Sequence, residues 1–246
     1  MLVYGALSGP LPKLGVVAVA ILAAVVMLQP AARVQALAML GALVLAPVLL
    51  LAEIWNSPQL GIIHRHPALA AVGAVAALGA VVAAALAVRT RQWLLAGAVI
   101  VALPFRIPIQ AGGKTSNLLV PLYFVIAAGA LSFIFDSLRS RPSADADRPA
   151  AADPRAPAAR AALWLERLLV AYVVLYALQA TYSPSFETAL QQMVFFYVPF
   201  ALAYCLLRAI AWTPQLVRTC LGLLVGLSVL FALVGYVEYA TKTILL

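Results

Sequence analysis

Two cations stand eight residues apart in one short polar stretch, Arg106 and Lys114. The run reads Pro104-Phe105-Arg106-Ile107-Pro108-Ile109-Gln110-Ala111-Gly112-Gly113-Lys114-Thr115-Ser116-Asn117. Two prolines interrupt any helix, and a double glycine frees the backbone to turn its amides outward. Amide donors beside positive charge suit a lipid phosphate or a diphosphate. A plainer role competes with this one: Arg106 and Lys114 snorkel to headgroups while Asn117 caps the helix that follows. Gly113-Lys114-Thr115 looks like the tail of a nucleotide-binding P-loop, but that pattern needs a glycine where this chain has Pro108. It is not a P-loop.

A second polar cluster, His64-Arg65-His66, precedes Pro67. Two histidines could start a metal site, yet no cysteine, carboxylate or third histidine lies near them in sequence, so no metal is expected. A helix entry at headgroup level, with Pro67 in the first turn, accounts for the same residues. Either histidine could act as a general base; nothing in the sequence selects it. Ser185 and Glu187 read as an N-cap and a favourable first-turn acid. Cys205 and Cys220 read as packing residues with reduced thiols.

These groups must be positioned by elements of an unusual composition. The chain has 246 residues, 65% hydrophobic and 10% charged, with a mean hydropathy of +1.05. Soluble domains are about 45–50% apolar and about 25% charged. A soluble enzyme, a disordered chain and a disulfide scaffold are excluded, and no nucleic-acid partner is expected. The expected fold is an all-α, polytopic integral membrane protein with about eight transmembrane helices, near 14–28, 34–52, 68–88, 93–105, 118–135, 168–180, 189–207 and 216–237. Continuous apolar runs favour helices over alternating barrel strands. The first run is read as a retained helix and not a signal peptide, because only Lys13 precedes it and another apolar run follows closely. Pro104 and Pro108 should shorten the fourth helix, and Pro199 should kink the seventh. Gly222 and Gly226 give the eighth a close-packing face.

Lys and Arg divide eleven against five between alternate connections, which assigns the richer side to the cytoplasm and places 106–117 outside. Three parts follow: helices 1–5 over 1–135, a disordered cytoplasmic linker over 136–162, and helices 6–8 over 163–246. The linker is inferred from its mixed charge and four prolines. The central portions of the spans contain no Asp, Glu, Lys, Arg or His. Ion-coupled transporters place such groups near the midplane, so secondary transport is disfavoured.

The stretch Leu103-Pro104-Phe105-Arg106-Ile107-Pro108, then Asn117 through Ala130, resembles the first half of the bacterial O-antigen ligase and polymerase family. So do Phe195-Phe196-Tyr197-Val198-Pro199-Phe200 followed by Arg208, and the ending Gly235-Tyr236-Val237-Glu238-Tyr239-Ala240-Thr241. The resemblance covers roughly residues 93–246. It implies a glycosyltransferase-type enzyme of the bacterial plasma membrane that takes a polyprenyl-diphosphate-linked glycan as donor at the extracytoplasmic face, with no metal, nucleotide or other cofactor. The family's functional arginines and histidine belong largely to a long external loop of its second half. That loop has no counterpart here, so no catalytic residue is carried over. The expectation is the N-terminal portion, or a shortened relative, of such a protein, inactive alone. The competing expectation is a non-catalytic scaffold or permease subunit that packs against a partner in the membrane. Arg106 and Lys114 remain the candidate diphosphate-binding residues by chemistry alone.

Overall fold

A computed structural model describes residues 10–54, 66–91, 93–111, 114–139 and 157–242. Along the chain they form α1 (Pro10–Leu28), α2 (Ala32–Ile54), α3 (Pro67–Thr90), α4 (Trp93–Ala102), β1 (Ile107–Ala111), β2 (Lys114–Leu118), α5 (Val120–Arg139) and α6 (Pro157–Tyr182). There follow α7 (Phe186–Arg208) and α8 (Pro214–Thr241). Among the described residues, seven of these helices are long and apolar enough to cross a membrane. The protein is an all-α, multi-pass membrane protein with one small hairpin added.

α4 has only ten residues, about 15 Å at helical rise, or half a hydrocarbon core. It stops three residues short of the expected 93–105 because Pro104 cannot continue it. The last turn closes instead through Leu103 N–H to Val99 and Phe105 N–H to Ala102.

α1 and α2 form an antiparallel pair around a three-residue turn. Buried Val16, Val19, Ala20, Ala23, Val26 and Met27 recur at helical spacing along one face of α1. Gly15 admits the Leu49 side chain into the space a Cβ would take, and Gly41 similarly admits Leu22. Around this pair stand α5, α6 and α7, and Leu95, Ala96, Val99 and Ala102 of α4 with Leu216 and Cys220 of α8 join the same buried core. Gly129 of α5 lies at a crossing of three helices: a Cβ there would lie 2.8 Å from Leu95 of α4 and 3.1 Å from Leu206 of α7.

α3 packs along α5, and α8 along α4. Both are otherwise bare. Leu69, Val72 and Val75 of α3 are 67–70% exposed, as is Tyr236 of α8 at 70%. Continuous apolar faces of this kind are matched to lipid, not water. The polar side chains of α8 obey the same rule, since Thr219, Ser228 and Thr241 each donate to the carbonyl four residues earlier. Among the described residues, nothing lies within 4 Å of where a Cβ would stand at Gly222 or Gly226, so the expected packing face meets no described neighbour. Leu223, between them, packs on Gly97 instead.

Alternation of direction gives the bundle two distinct ends. Arg89 of α3 pairs with Asp136 of α5 at 2.6 Å, and Gln35 of α2 donates to the Val26 carbonyl of α1 at 2.7 Å. These contacts, with Glu166 of α6 and Arg208 of α7, define an arginine-rich end. The β-hairpin lies at the other. The linker expected over 136–162 is narrower than its composition suggested: α5 continues through Asp136 to Arg139, and α6 already begins at Pro157. The Arg89 pair holds Asp136, Arg139 suits a helix C-terminus, and Pro157 suits the first helical turn. Residues 140–156 lie outside the described residues.

Candidate functional site

The polar stretch after α4 is a two-stranded antiparallel hairpin, not an irregular loop. Ile107 pairs with Leu118, Ile109 with Ser116, and Ala111 with Lys114, with Gly112–Gly113 between the strands. Gly-Gly between two short runs is a hairpin signal in sequence. Pro108 is tolerated because a two-stranded ribbon has only edge strands. Asn117 pairs with Pro108 in β2, so it does not cap α5, which starts three residues later at Val120.

Arg106 is exposed, just before β1. Lys114 opens β2 opposite Ala111, five residues up the ladder from Arg106. At about 3.3 Å per residue, the two backbones are roughly 17 Å apart. The hairpin therefore holds the two backbone positions at opposite ends, one at its base and one at its tip.

His64 and Arg65 lie outside the described residues. His66 occupies the position before α3 without a side-chain capping bond, and Pro67 takes the first helical turn as expected. Among the described residues no three of His, Cys, Asp and Glu gather as a metal site would require. Ser185 stands at the N-cap of α7 but makes no capping bond; its own N–H donates to Ser183 Oγ at 3.3 Å. Glu187 does sit in the first turn. Cys205 and Cys220 are buried and unpaired to each other, and the Cys205 thiol donates to the Val26 carbonyl at 3.2 Å.

A second site was not legible in the sequence. Pro199 does more than kink α7: the five residues Met193–Tyr197 form a π-helical segment just before it. Proline has no N–H to give the carbonyl four residues earlier, which is Phe195. The Tyr123 hydroxyl of α5 donates to that carbonyl at 2.9 Å. A freed backbone group at bilayer depth is thus satisfied by a neighbouring helix. π-segments are frequent at functional sites.

The outer side of this segment carries three tyrosines. Tyr176 and Tyr197 stack with ring centroids 4.2 Å apart, and Tyr172 lies 5.6 Å from Tyr197. The Tyr176 hydroxyl donates to Gln192 at 2.8 Å, and the Tyr197 hydroxyl to that of Tyr172 at 3.2 Å. Below them a groove of about 250 Å³ runs between α6 and α7. Tyr172 and Val173 form one wall, Phe196, Phe200 and Ala201 the other, and Met27 of α1 lies at its back. Tyr204 closes the arginine-rich end. Its hydroxyl lies 3.5 Å from Glu166, which pairs with Arg208. The Glu166 side chain is only 9% exposed while that of Arg208 is 49% exposed, so the pair spans the edge of the core.

Comparison with family models, with curated proteins and with solved structures returns no match.

Proposed function

We propose that the chain is the membrane-embedded portion of an O-antigen ligase-like protein of a bacterial plasma membrane, engaging a polyprenyl-diphosphate-linked glycan at the hairpin end of the bundle. The observation that carries this reading is the break after α4. A half-length helix ends at Pro104, and the chain then projects a hairpin with Arg106 at its base and Lys114 at its tip. A diphosphate at headgroup level meets Arg106 first, and an extended glycan beyond it can be touched again roughly 17 Å further out. The arginine-rich end is then cytoplasmic and the hairpin end extracytoplasmic. Glycosyl transfer needs charge stabilisation of the leaving group and a base for the acceptor hydroxyl. Arg106 and Lys114 serve only the first need, so this portion binds the donor and transfers nothing by itself.

The test is binding of polyprenyl diphosphate and of the matching uncharged polyprenol to the full chain in nanodiscs. Diphosphate should bind at least fivefold tighter, Arg106→Ala should remove most of that preference, and Lys114→Ala less. Equal affinity for the two lipids, or an unchanged preference in the double variant, refutes the reading. The bare faces of α3 and α8 favour a second one, a scaffold or permease subunit covered there by a partner. It predicts no diphosphate preference and a stoichiometric membrane partner on gentle extraction.

A further inference from the structure

The groove between α6 and α7 is separate from the hairpin and lies toward the opposite end of the bundle. Its volume, about 250 Å³, falls below the roughly 300–1,000 Å³ of pockets for drug-sized ligands. Its walls hold no charged side chain: they are aliphatic, phenylalanine and tyrosine. It opens sideways, since Tyr172, Phe196 and Phe200 on its rim are 41–59% exposed. Within a span, a sideways opening faces hydrocarbon. The shape and lining suit one slender apolar chain and exclude a bulky polar head.

The polar end of the groove supplies the rest of the ligand. Tyr204 lines it, and Arg208 lies four residues later on the same face of α7. Glu166 engages one nitrogen of Arg208 through Nη1, yet the side chain remains half exposed. A guanidinium has five donors, enough to hold a carboxylate and still receive a phosphate. Around it the level is that of a headgroup layer. Exposed Trp164 and Trp212 stand there as membrane-interface aromatics do, with Arg167 5.7 Å from the Trp164 ring. Among the described residues of α6 and α7 this end presents Arg167 and Arg208 against Glu166.

We propose that the α6–α7 groove is a binding site for one anionic phospholipid, with an acyl chain between Tyr172 and Phe200 and the phosphate on Arg208. The lipid closes the seam that α6 and α7 leave open beside the π-helical segment. The neutral zwitterionic lipid fits the groove equally well but gains less at Arg208, because its own cationic group competes with the guanidinium for the phosphate. The selectivity therefore resides at the arginine and the occupancy in the groove.

The full chain, purified in detergent and stripped of lipid, is offered phosphatidylglycerol and phosphatidylcholine with identical acyl chains, and bound lipid is counted by native mass spectrometry. One phosphatidylglycerol should be retained at least tenfold more readily than phosphatidylcholine. Ala201→Phe, which fills the groove, should lower retention of both at least tenfold. The paired change Glu166→Gln with Arg208→Gln, which leaves no unpaired charge, should bring phosphatidylglycerol down to the phosphatidylcholine level. A second measurement does not depend on Ala201→Phe folding. In Phe200→Trp, with Phe200 already at the rim, acyl-brominated phosphatidylglycerol should quench the new fluorescence at a several-fold lower mole fraction than brominated phosphatidylcholine. Equal retention and equal quenching by the two lipids overturn the proposal. So does unchanged retention in a folded Ala201→Phe, or recovery of a lipid-free dimer. None of these outcomes touches the hairpin, so failure here leaves the donor-binding test standing.

Discussion

Replacing Arg208 alone by glutamine should destabilise the bundle more than replacing Arg208 and Glu166 together. Removing one partner of a buried ion pair costs about 3–5 kcal/mol, because the other charge is left unpaired in low dielectric. Here the two partners are unequally buried, with side-chain exposures of 49% for Arg208 and 9% for Glu166. Arg208→Gln strands the buried carboxylate, which among the described residues keeps the Tyr204 hydroxyl at 3.5 Å. Its cost therefore falls at about 3 kcal/mol, the low end of that range. Glu166→Gln strands the half-exposed guanidinium, which water and headgroups can reach, and should cost about 1 kcal/mol. The double variant removes both charges and keeps two amides in reach of one another, so it should return to within about 1 kcal/mol of the parent. For 150–250 residues about 1 kcal/mol corresponds to roughly 2–4 °C in Tm, giving a fall of about 6–12 °C for Arg208→Gln. The assay is intrinsic-fluorescence unfolding in nanodiscs at one scan rate, all three variants side by side. Equal losses in the two single variants, or a double variant at the sum of both, would refute the burial reasoning.

Tyr123→Phe removes the donor to the Phe195 carbonyl and should cost about 1–2 kcal/mol by the same unfolding assay, whereas Tyr236→Phe, at an exposed position on α8, should be neutral within about 0.5 kcal/mol. Gly129→Ala should destabilise by about 1–3 kcal/mol because its Cβ meets Leu95 and Leu206, while Gly226→Ala, with nothing within 4 Å, should be neutral or slightly stabilising; equal effects at the two sites would mean that α4, α5 and α7 are not packed as described. Cysteines introduced at Ser116 and Ser143 should differ on intact cells, Ser116 labelling with an impermeant thiol reagent and Ser143 not, and the reverse pattern would invert the orientation.

How much of this was legible in the sequence depended on the range of the interaction involved. Long apolar runs announce helices because a span needs about 20 such residues, so α1–α3, α5, α7 and α8 fall close to where the runs lie. The apolar run puts the start of α6 between 163 and 168, whereas the helix begins at Pro157, because Arg160, Glu166 and Arg167 break the apolar pattern while remaining helical. Glu166 is answered by Arg208, 42 residues beyond it, and no local signal reports such a pairing. The hairpin did have a local signal, Ile107 and Ile109 alternating before Gly112–Gly113, which the prolines overshadowed. Pro199 announced a kink, but not which helix would satisfy Phe195; Tyr123 is 72 residues away. The groove is a property of two facing helices and had no signal at all.

Polarity inside this bundle is arranged so that little of it is left over. Tyr123, Tyr176 and Tyr197 spend their hydroxyls on a carbonyl, an amide and the Tyr172 hydroxyl, and the threonines and serine of α8 fold back on their own helix. The bare faces of α3 and α8 offer a ligand only dispersion, which lipid tails supply equally well, so those faces give no specificity without a shaped partner. Specific recognition requires shape together with donors that are not yet consumed. Among the described residues that combination occurs where the groove meets half-exposed Arg208. At the other end, exposed Arg106 stands at the foot of a hairpin that lifts the backbone out of the helical array. On the two proposed readings, one end takes a lipid by its chain and its phosphate and the other takes a diphosphate by charge at the surface. Neither role requires an ionisable group at the midplane.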